Sequence, residues 1–232
     1  MKQVELEGGT PRGVGFWSKT LGLCGRLAEL EEIGPTPDYL LTGSIGHTML
    51  AEWYRSEGQI QLRDYRIKGI SVASPEYQEA ARCFRAYIRA FPKPHKRFGK
   101  VVGVEQIRWP IPKLLSIKPD LITAKNTAPD HKFVAQITPE IVAHYLDSIN
   151  AVVYLIGGGF DALIYNFISK EADPSFARVE RTKRPDDQAR YDAFVRLVRS
   201  TPPGLANPTA CHRWVAGRPV ECQFFGRGCR GY

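Results

Sequence analysis

Pro119-Asp120-Leu121-Ile122 and, one turn later, Phe133-Val134-Ala135-Gln136-Ile137-Thr138 are the two stretches on which the fold turns. The first sets a single acid on a β-rich run that extends from Ile117 to Ala124. The second reads as the next strand, with Val134, Gln136 and Thr138 on one face and Phe133, Ala135 and Ile137 on the other. Upstream, Val101 to Trp109 is also β-rich. Downstream, a helix is expected over Pro139 to Ile156, stopping at Gly157-Gly158-Gly159. Ala162 to Ile168 follows and is almost continuously apolar, as a central strand covered on both faces should be. The three consecutive strands suggest antiparallel pairing, and the helix before the fourth permits a parallel crossover. The order is that of an α/β chain.

The acidic position of the third strand has two candidate registers. Asp130-His131-Lys132 begins ten residues after Asp120, but Asn126 to Pro129 ahead of it is polar and turn-like. The expectation is therefore that Asp130 and Lys132 lie in the turn and that Gln136 and Thr138 hold the strand positions.

The N-terminal third reads as helical. A short helix is expected over Trp17 to Glu32, ended by Gly34 and Pro35-Thr36-Pro37. Thr42-Gly43-Ser44-Ile45-Gly46-His47 then leads into a helix carrying His47, Leu50, Trp53 and Tyr54. Pro75 to Phe91 shows an apolar stripe of Tyr77, Ala80, Ala81, Phe84, Tyr87, Ile88 and Phe91 at helical spacing. Cys83 lies beside that stripe and reads as a small buried hydrophobe. Pro92-Lys93-Pro94-His95-Lys96-Arg97 is a basic, rigid loop. A last helix opens at Pro185, with Asp186 and Asp187 in its first turn.

With 232 residues, 43% hydrophobic and 24% charged, the chain suits one domain able to bury a core without disulfides. Its net charge of +8 favours a polyanionic partner such as nucleic acid. Met1 to Gly9 lacks the apolar core of a signal peptide, and no window reaches the roughly 18 apolar residues of a membrane span. A cytoplasmic setting is expected, with no membrane partner. There the five cysteines are free thiols or metal ligands.

Cutting a phosphodiester with Mg²⁺ calls for oxygen ligands on a sheet surface and a cation near the scissile phosphate. In that light the chain resembles the PD-(D/E)XK nucleases, in the branch that holds RecB, AddB and Cas4. Gly43-Ser44-Ile45-Gly46-His47 looks like that branch's histidine motif. Val102-Gly103-Val104-Glu105 looks like its first strand, and Pro119-Asp120-Leu121-Ile122 like its Asp motif. Asn150 and Tyr154, four apart on one helix, sit where Gln and Tyr are usual. Asp161 to Asn166 resembles the strand that follows. The resemblance runs from about residue 17 to the end of the chain. It implies a restriction-endonuclease-like mixed central sheet flanked by helices. It also implies Mg²⁺ or Mn²⁺ held by His47 and Asp120 with Gln136 as a weak third ligand, and DNA as substrate, with single-stranded ends. Asn150 and Tyr154 would help position the site. Gln136 replaces the family's Glu, and Thr138 replaces its Lys without the charge.

Cys24 stands early, and Cys211, Cys222 and Cys229 fall in the last 22 residues. One early and three late cysteines resemble the set that ties the chain ends of Cas4- and AddB-like nucleases through a [4Fe–4S] cluster; Zn²⁺ would also accept four thiolates. On this reading the chain is one nuclease domain over 1–232, with 17–34 and 205–232 forming the cysteine-rich part. Arg181, Lys183, Arg184, Arg213 and Trp214 join cations to a stackable ring, which suits single-stranded DNA; a solvated charged surface is the plainer reading. The implied function is DNA cleavage or end processing of the Cas4/RecB-like exonuclease kind, in phage replication, repair or CRISPR adaptation, with a possible protein partner in such a complex. A catalytically degenerate domain that binds DNA or a partner is the alternative that Gln136 and Thr138 favour. A zinc-stapled nucleic-acid-binding protein is the other.

Overall fold

Every residue of the strand Ala162–Ser169 is buried, and the chain is arranged to cover both of its faces. The computed structural model describes residues 2–4, 13–14, 17, 38–60, 65–200, 212–215 and 218–221. In chain order its elements are β1 (Lys2–Val4), α1 (Asp38–Arg55), β2 (Tyr65–Ile67), α2 (Pro75–Ala90), α3 (Pro94–Phe98), β3 (Val101–Val104), β4 (Arg108–Ile111), β5 (Leu115–Ile117), β6 (Leu121–Thr123) and β7 (Thr127–Val134). There follow α4 (Pro139–Asp147), α5 (Ile149–Val152), a π-helical turn Val153–Gly157, β8 (Ala162–Ser169), β9 (Phe176–Thr182), α6 (Asp187–Ser200), β10 (His212–Val215) and β11 (Arg218–Glu221).

β8 is the centre strand of a three-stranded sheet. β7 runs parallel to it, with Asp130 opposite Tyr165 and His131 opposite Asn166. β9 runs antiparallel, with Arg178 opposite Asn166. The expected crossover through a helix is present: α4 and α5 carry the chain from β7 to β8. α1 and α2 cover one face, packing with Ile164 and Ile168, and the buried stripe of α2 is Tyr77, Ala80, Ala81, Phe84 and Tyr87. Each large side chain so buried contributes about 1.5–3 kcal/mol. Ser74 caps α2 by accepting from the Tyr77 amide at 3.2 Å. Cys83 is fully buried there and its thiol points at the Ser169 carbonyl. The other face, with Leu163, Tyr165 and Phe167, packs against α5, α6 and the β4–β5 hairpin. Trp17 is sealed into this second core, and its indole N–H donates to the Leu114 carbonyl at 2.7 Å.

The strands do not join into one sheet as expected. β3 pairs with β6, and β4 with β5, as separate antiparallel ladders. The run Val101 to Trp109 is broken at Glu105, whose φ of 50° ends β3. The segment Ile117 to Ala124 is broken ahead of Pro119. The long helix expected over Pro139 to Ile156 is also interrupted, because Ser148 is extended and its hydroxyl recaps the next turn at the Ala151 amide. Thr42 to Gly46 lies inside α1 and not ahead of it, and the basic linker forms the short helix α3. Among the described residues no helix is long and apolar enough to cross a membrane.

α6 is tied to the sheet by one buried ion pair. Arg181, expected on a DNA-facing surface, turns inward from β9 and is 3% exposed, and Asp187 is fully buried. Both terminal nitrogens of the Arg181 guanidinium donate to the Asp187 carboxylate, one at 2.6 Å, and the Arg184 amide adds a third bond at 2.8 Å. The bonds from Arg181 hold the Asp187 carboxyl below its ordinary value, against burial. Its stabilisation is therefore present above the unfolded value near 4 and lost as pH falls through the lower folded one. Asp187→Ala should cost about 3–5 kcal/mol in urea unfolding at neutral pH, since it leaves a buried cation unpaired. The gap to wild type should narrow as the pH drops below about 4.

Candidate active site

α1 reaches the sheet closely enough to place a histidine at its edge because of one glycine. A Cβ on Gly46 would sit 2.3 Å from the Phe133 ring. With only hydrogen there, α1 lies against β7, and the ring of His47 meets Phe133 edge-on with centroids 5.6 Å apart. His47 Nδ1 then comes within 3.0 Å of Asp120 Oδ2.

Asp120 stands just before β6, where the chain turns into the strand. Its Oδ2 accepts the His131 backbone N–H at 2.6 Å and faces His131 Nδ1 at 3.2 Å. One carboxylate oxygen thus gathers two imidazoles and an amide. Burial would push the Asp120 carboxyl up, but the charge of His47 and the hydrogen bonds of His131 and His47 outweigh it and hold it well below its ordinary value. Burial likewise works against a charged His47, yet Asp120 raises it. His131 goes the other way. It is 1% exposed among Tyr54, Tyr87 and Phe98, and burial lowers its basicity. A neutral ring facing a carboxylate carries its proton on Nδ1, which leaves Nε2 as an acceptor. That atom is buried without a hydrogen-bond partner.

The opposite face of β7 carries Asp130 and Lys132, with Lys132 Nζ 2.6 Å from Asp130 Oδ2. Lys132 also lies 5.6 Å over the ring of Tyr145 on α4. Burial opposes the ammonium, but Asp130 and Asp120 hold it charged above its usual range. Asp130 is pushed up by burial and by the charge of Asp120, against the pull of Lys132. Tyr154, on the π-helical turn, donates to the Lys118 carbonyl at 3.1 Å. Burial and the charges of Asp130 and Asp120 keep its phenol protonated. The four polar side chains remain within reach of solvent: 29% exposed for His47, 17% for Asp120, 10% for Asp130 and 23% for Lys132. Asp120 and Asp130 are each matched by one cation, His47 and Lys132. Among the described residues no three His, Cys, Asp or Glu side chains converge as a ready-made metal cage.

The structure corrects the register of the third strand. β7 spans Thr127–Val134, so Asp130 and Lys132 lie within it, and Gln136 and Thr138 lie beyond its end. Gln136 is exposed. Thr138 is the N-cap of α4, accepting from the Ile141 amide at 3.3 Å. The polar run Asn126 to Pro129 turns only at Asn126, whose φ of 53° makes the bend. Pro129 is tolerated because β7 is an edge strand. Asn150 is exposed and does not join Tyr154 at the site: it lies on α5, whereas Tyr154 lies on the π-helical turn that follows. Glu105 pairs with Arg55 at 2.6 Å and Lys118 at 3.5 Å. Lys183 is exposed, and exposed Arg184 pairs with Asp147. Cys24, Cys211, Cys222, Cys229 and the side chains of Arg213 and Trp214 lie outside the described residues. Asp130, Lys132 and His131 are the residues that the favoured sequence register set aside; the literal Asp-x-Lys after Pro119-Asp120 was their signal.

No protein-family model matches the chain, and no curated protein matches it. A solved structure does. The crystal structure named "Putative exonuclease" from Eubacterium rectale superposes with a TM-score of 0.52, over 94% of this chain and 93% of that one, at 14% sequence identity. At that identity the likeness shows a shared mixed α/β fold.

The two glycines ahead of His47 give a matched test of the α1–β7 contact. Gly43 has open space where its Cβ would be, so Gly43→Ala should stabilise the helix by about 0.5–1 kcal/mol. Gly46→Ala should instead destabilise by about 1–3 kcal/mol, because its methyl group meets the Phe133 ring. Thermal or urea unfolding of both variants reads the difference in sign.

Proposed function

We propose that the chain is a metal-dependent nuclease of the PD-(D/E)XK type, hydrolysing phosphodiester bonds in DNA in the manner of the RecB- and Cas4-like exonucleases. The observation that carries this reading is the β7 register. In it Asp130 and Lys132 stand two residues apart on one face of the strand, and Asp120, just before β6, is met by His47. The chain then carries the family's acid, acid and lysine in order, and the replacements at Gln136 and Thr138 cease to matter. The likeness to the Eubacterium rectale protein agrees with a nuclease fold.

His47, Asp120 and Asp130 would hold the metal. By donor type, one imidazole and two carboxylates suit Mg²⁺ or Mn²⁺, with the nitrogen leaning towards Mn²⁺; the three do not form a preformed cage and would have to close on the ion. The two carboxylates already feel each other's charge, which a divalent cation would relieve. A divalent ion held by these residues would supply Lewis acidity towards a phosphoryl oxygen and towards water. The protein's own groups do the rest. Lys132 stays protonated and offers an ammonium to the phosphate charge that grows in the transition state. Tyr154 keeps its proton and holds the Lys118 carbonyl, which braces the chain just ahead of Asp120. His131 fixes Asp120 by backbone and ring, so that the carboxylate cannot rotate freely.

The test is cleavage of end-labelled single- and double-stranded DNA with Mg²⁺ or Mn²⁺. Wild type should cut, and Asp120→Ala, Asp130→Asn and Lys132→Ala should each slow cutting by about 100-fold or more. Gln136→Glu with Thr138→Lys should leave the rate unchanged, because both positions lie off the strand. A wild-type protein that binds DNA without cutting under any of these conditions would overturn the nuclease reading in favour of a binding domain of the same fold.

A further inference from the structure

Lys93-Pro94-His95-Lys96-Arg97-Phe98-Gly99-Lys100 carries five basic side chains and no acid. Most of it is α3, a short helix that separates two open cavities. One, of about 670 Å³, is bordered by Tyr54, Arg55, His95, Lys100, Val102 and Gln106. The other, of about 460 Å³, is bordered by Phe91, Pro92, Lys93, Lys96, Arg97 and Arg178. Both volumes suit a nucleotide-sized group. Neither cavity is lined by His47, Asp120, Asp130 or Lys132.

Arg97 shows that this is more than a solvated charge run. It is half-buried and rigidly held. Its Nε and one terminal nitrogen donate to Asn166 Oδ1 at 3.1 and 2.6 Å, and its guanidinium lies 3.6 Å over the centroid of Phe91. The Asn166 Nδ2 behind it is buried with no hydrogen-bond partner. Among the described residues no carboxylate pairs with Lys93, Lys96, Arg97 or Lys100. Burial lowers the basicity of Arg97, the mark of a cation taken partly out of water without a counter-charge. Such a group is costly unless an anion is brought to it. Arg178 adds its charge from β9, held by a bond from its guanidinium to the Arg97 carbonyl at 2.9 Å.

We propose that α3 and its two flanking cavities form a second nucleic-acid surface, which holds backbone phosphates of a strand away from the Asp120 centre. The identity of the polyanion rests on the nuclease reading above; the surface itself does not. Cations on both sides of one helix match a ligand whose charges repeat along its length. The Phe91 face is already covered by Arg97, so the strand is held by charge and not by base stacking. Binding should therefore be indifferent to sequence and steeply dependent on salt.

The experiment uses the full chain in EDTA, where cleavage does not intervene. Binding of a fluorescent single strand is followed by anisotropy over a salt series. Lys93→Ala/Lys96→Ala removes two positive charges from exposed side chains and leaves Arg97 in place. It should weaken binding about tenfold and reduce the slope of log affinity against log salt by about 1.4, two phosphate contacts at 0.7 each. Lys125→Glu, at the β6–β7 turn, changes the net charge by the same two units and should keep the wild-type slope. Equal losses in the two variants, or no loss in the first, would overturn the proposal. So would binding of inorganic phosphate by wild type that depends on Lys93 and Lys96 while strand binding does not, since the surface would then hold a small free anion. Binding is read in EDTA with no cleavage step, so a failure of the nuclease reading leaves this result legible on its own.

Discussion

The Asp120 carboxylate takes the His131 backbone N–H at 2.6 Å, in the place where a neighbouring strand would present a carbonyl. A buried amide must find a partner, and here a side chain supplies it. The consequence is that β6 and β7 do not zip into a ladder, although they are joined by a tight turn at Asn126. The short sheets of the molecule, β3 with β6 and β7 with β8 and β9, meet at this carboxylate. The same oxygen is then close enough to receive His47 from α1. Helix, turn and sheet are thus fixed to one another through a single atom.

Because β7 has side chains alternating across it, the strand divides polar duties between two layers. His131 and Phe133 face α1, where one steadies Asp120 and the other fills the space left by Gly46. Asp130 and Lys132 face α4 and pair with each other. Among the described residues no strand pairs with β7 on its other side, which leaves Asp120 room to meet it there. An apolar β8 beside it supplies the rigidity that an edge strand lacks on its own.

Much of this was legible in the residues. The apolar stripe of α2, the continuous run of β8 and the crossover between β7 and β8 follow from periodicity, which is a local property of the chain. Asp120 and His47 were legible as a pair only through resemblance to a family. The third strand was misplaced because Asn126 and Pro129 carry strong turn chemistry, and propensity gave them the whole segment. Tertiary pairing with Ala162–Ser169 overrides that preference from Thr127 onward. The broken helix at Ser148 was hidden for a similar reason: a hydroxyl that recaps a turn looks like any other serine in a helical pattern. Arg181 was read as a surface cation, since sequence shows its charge but not that Asp187, six residues on, waits beneath it.

The α1 side of the sheet carries a polar row that a stability argument alone would not place there. His131, Asn166 and Arg178 lie opposite one another on β7, β8 and β9, between Ile164 and Ile168 in an otherwise apolar layer. Two atoms of the row, His131 Nε2 and Asn166 Nδ2, have no partner, at a cost of about 1–3 kcal/mol each. Aliphatic side chains would pack there without that cost. What the row secures is register. A slip of β7 by one residue would carry His131 into the opposite core and bring Asp130 and Lys132 round to α1. Asp120 reads the register at one end, through the His131 amide, and Arg97 reads it at the other, through the Asn166 oxygen. The polar row therefore keeps Asp130 and Lys132 of β7 on the α4 side, while His131 holds Asp120 from the α1 side.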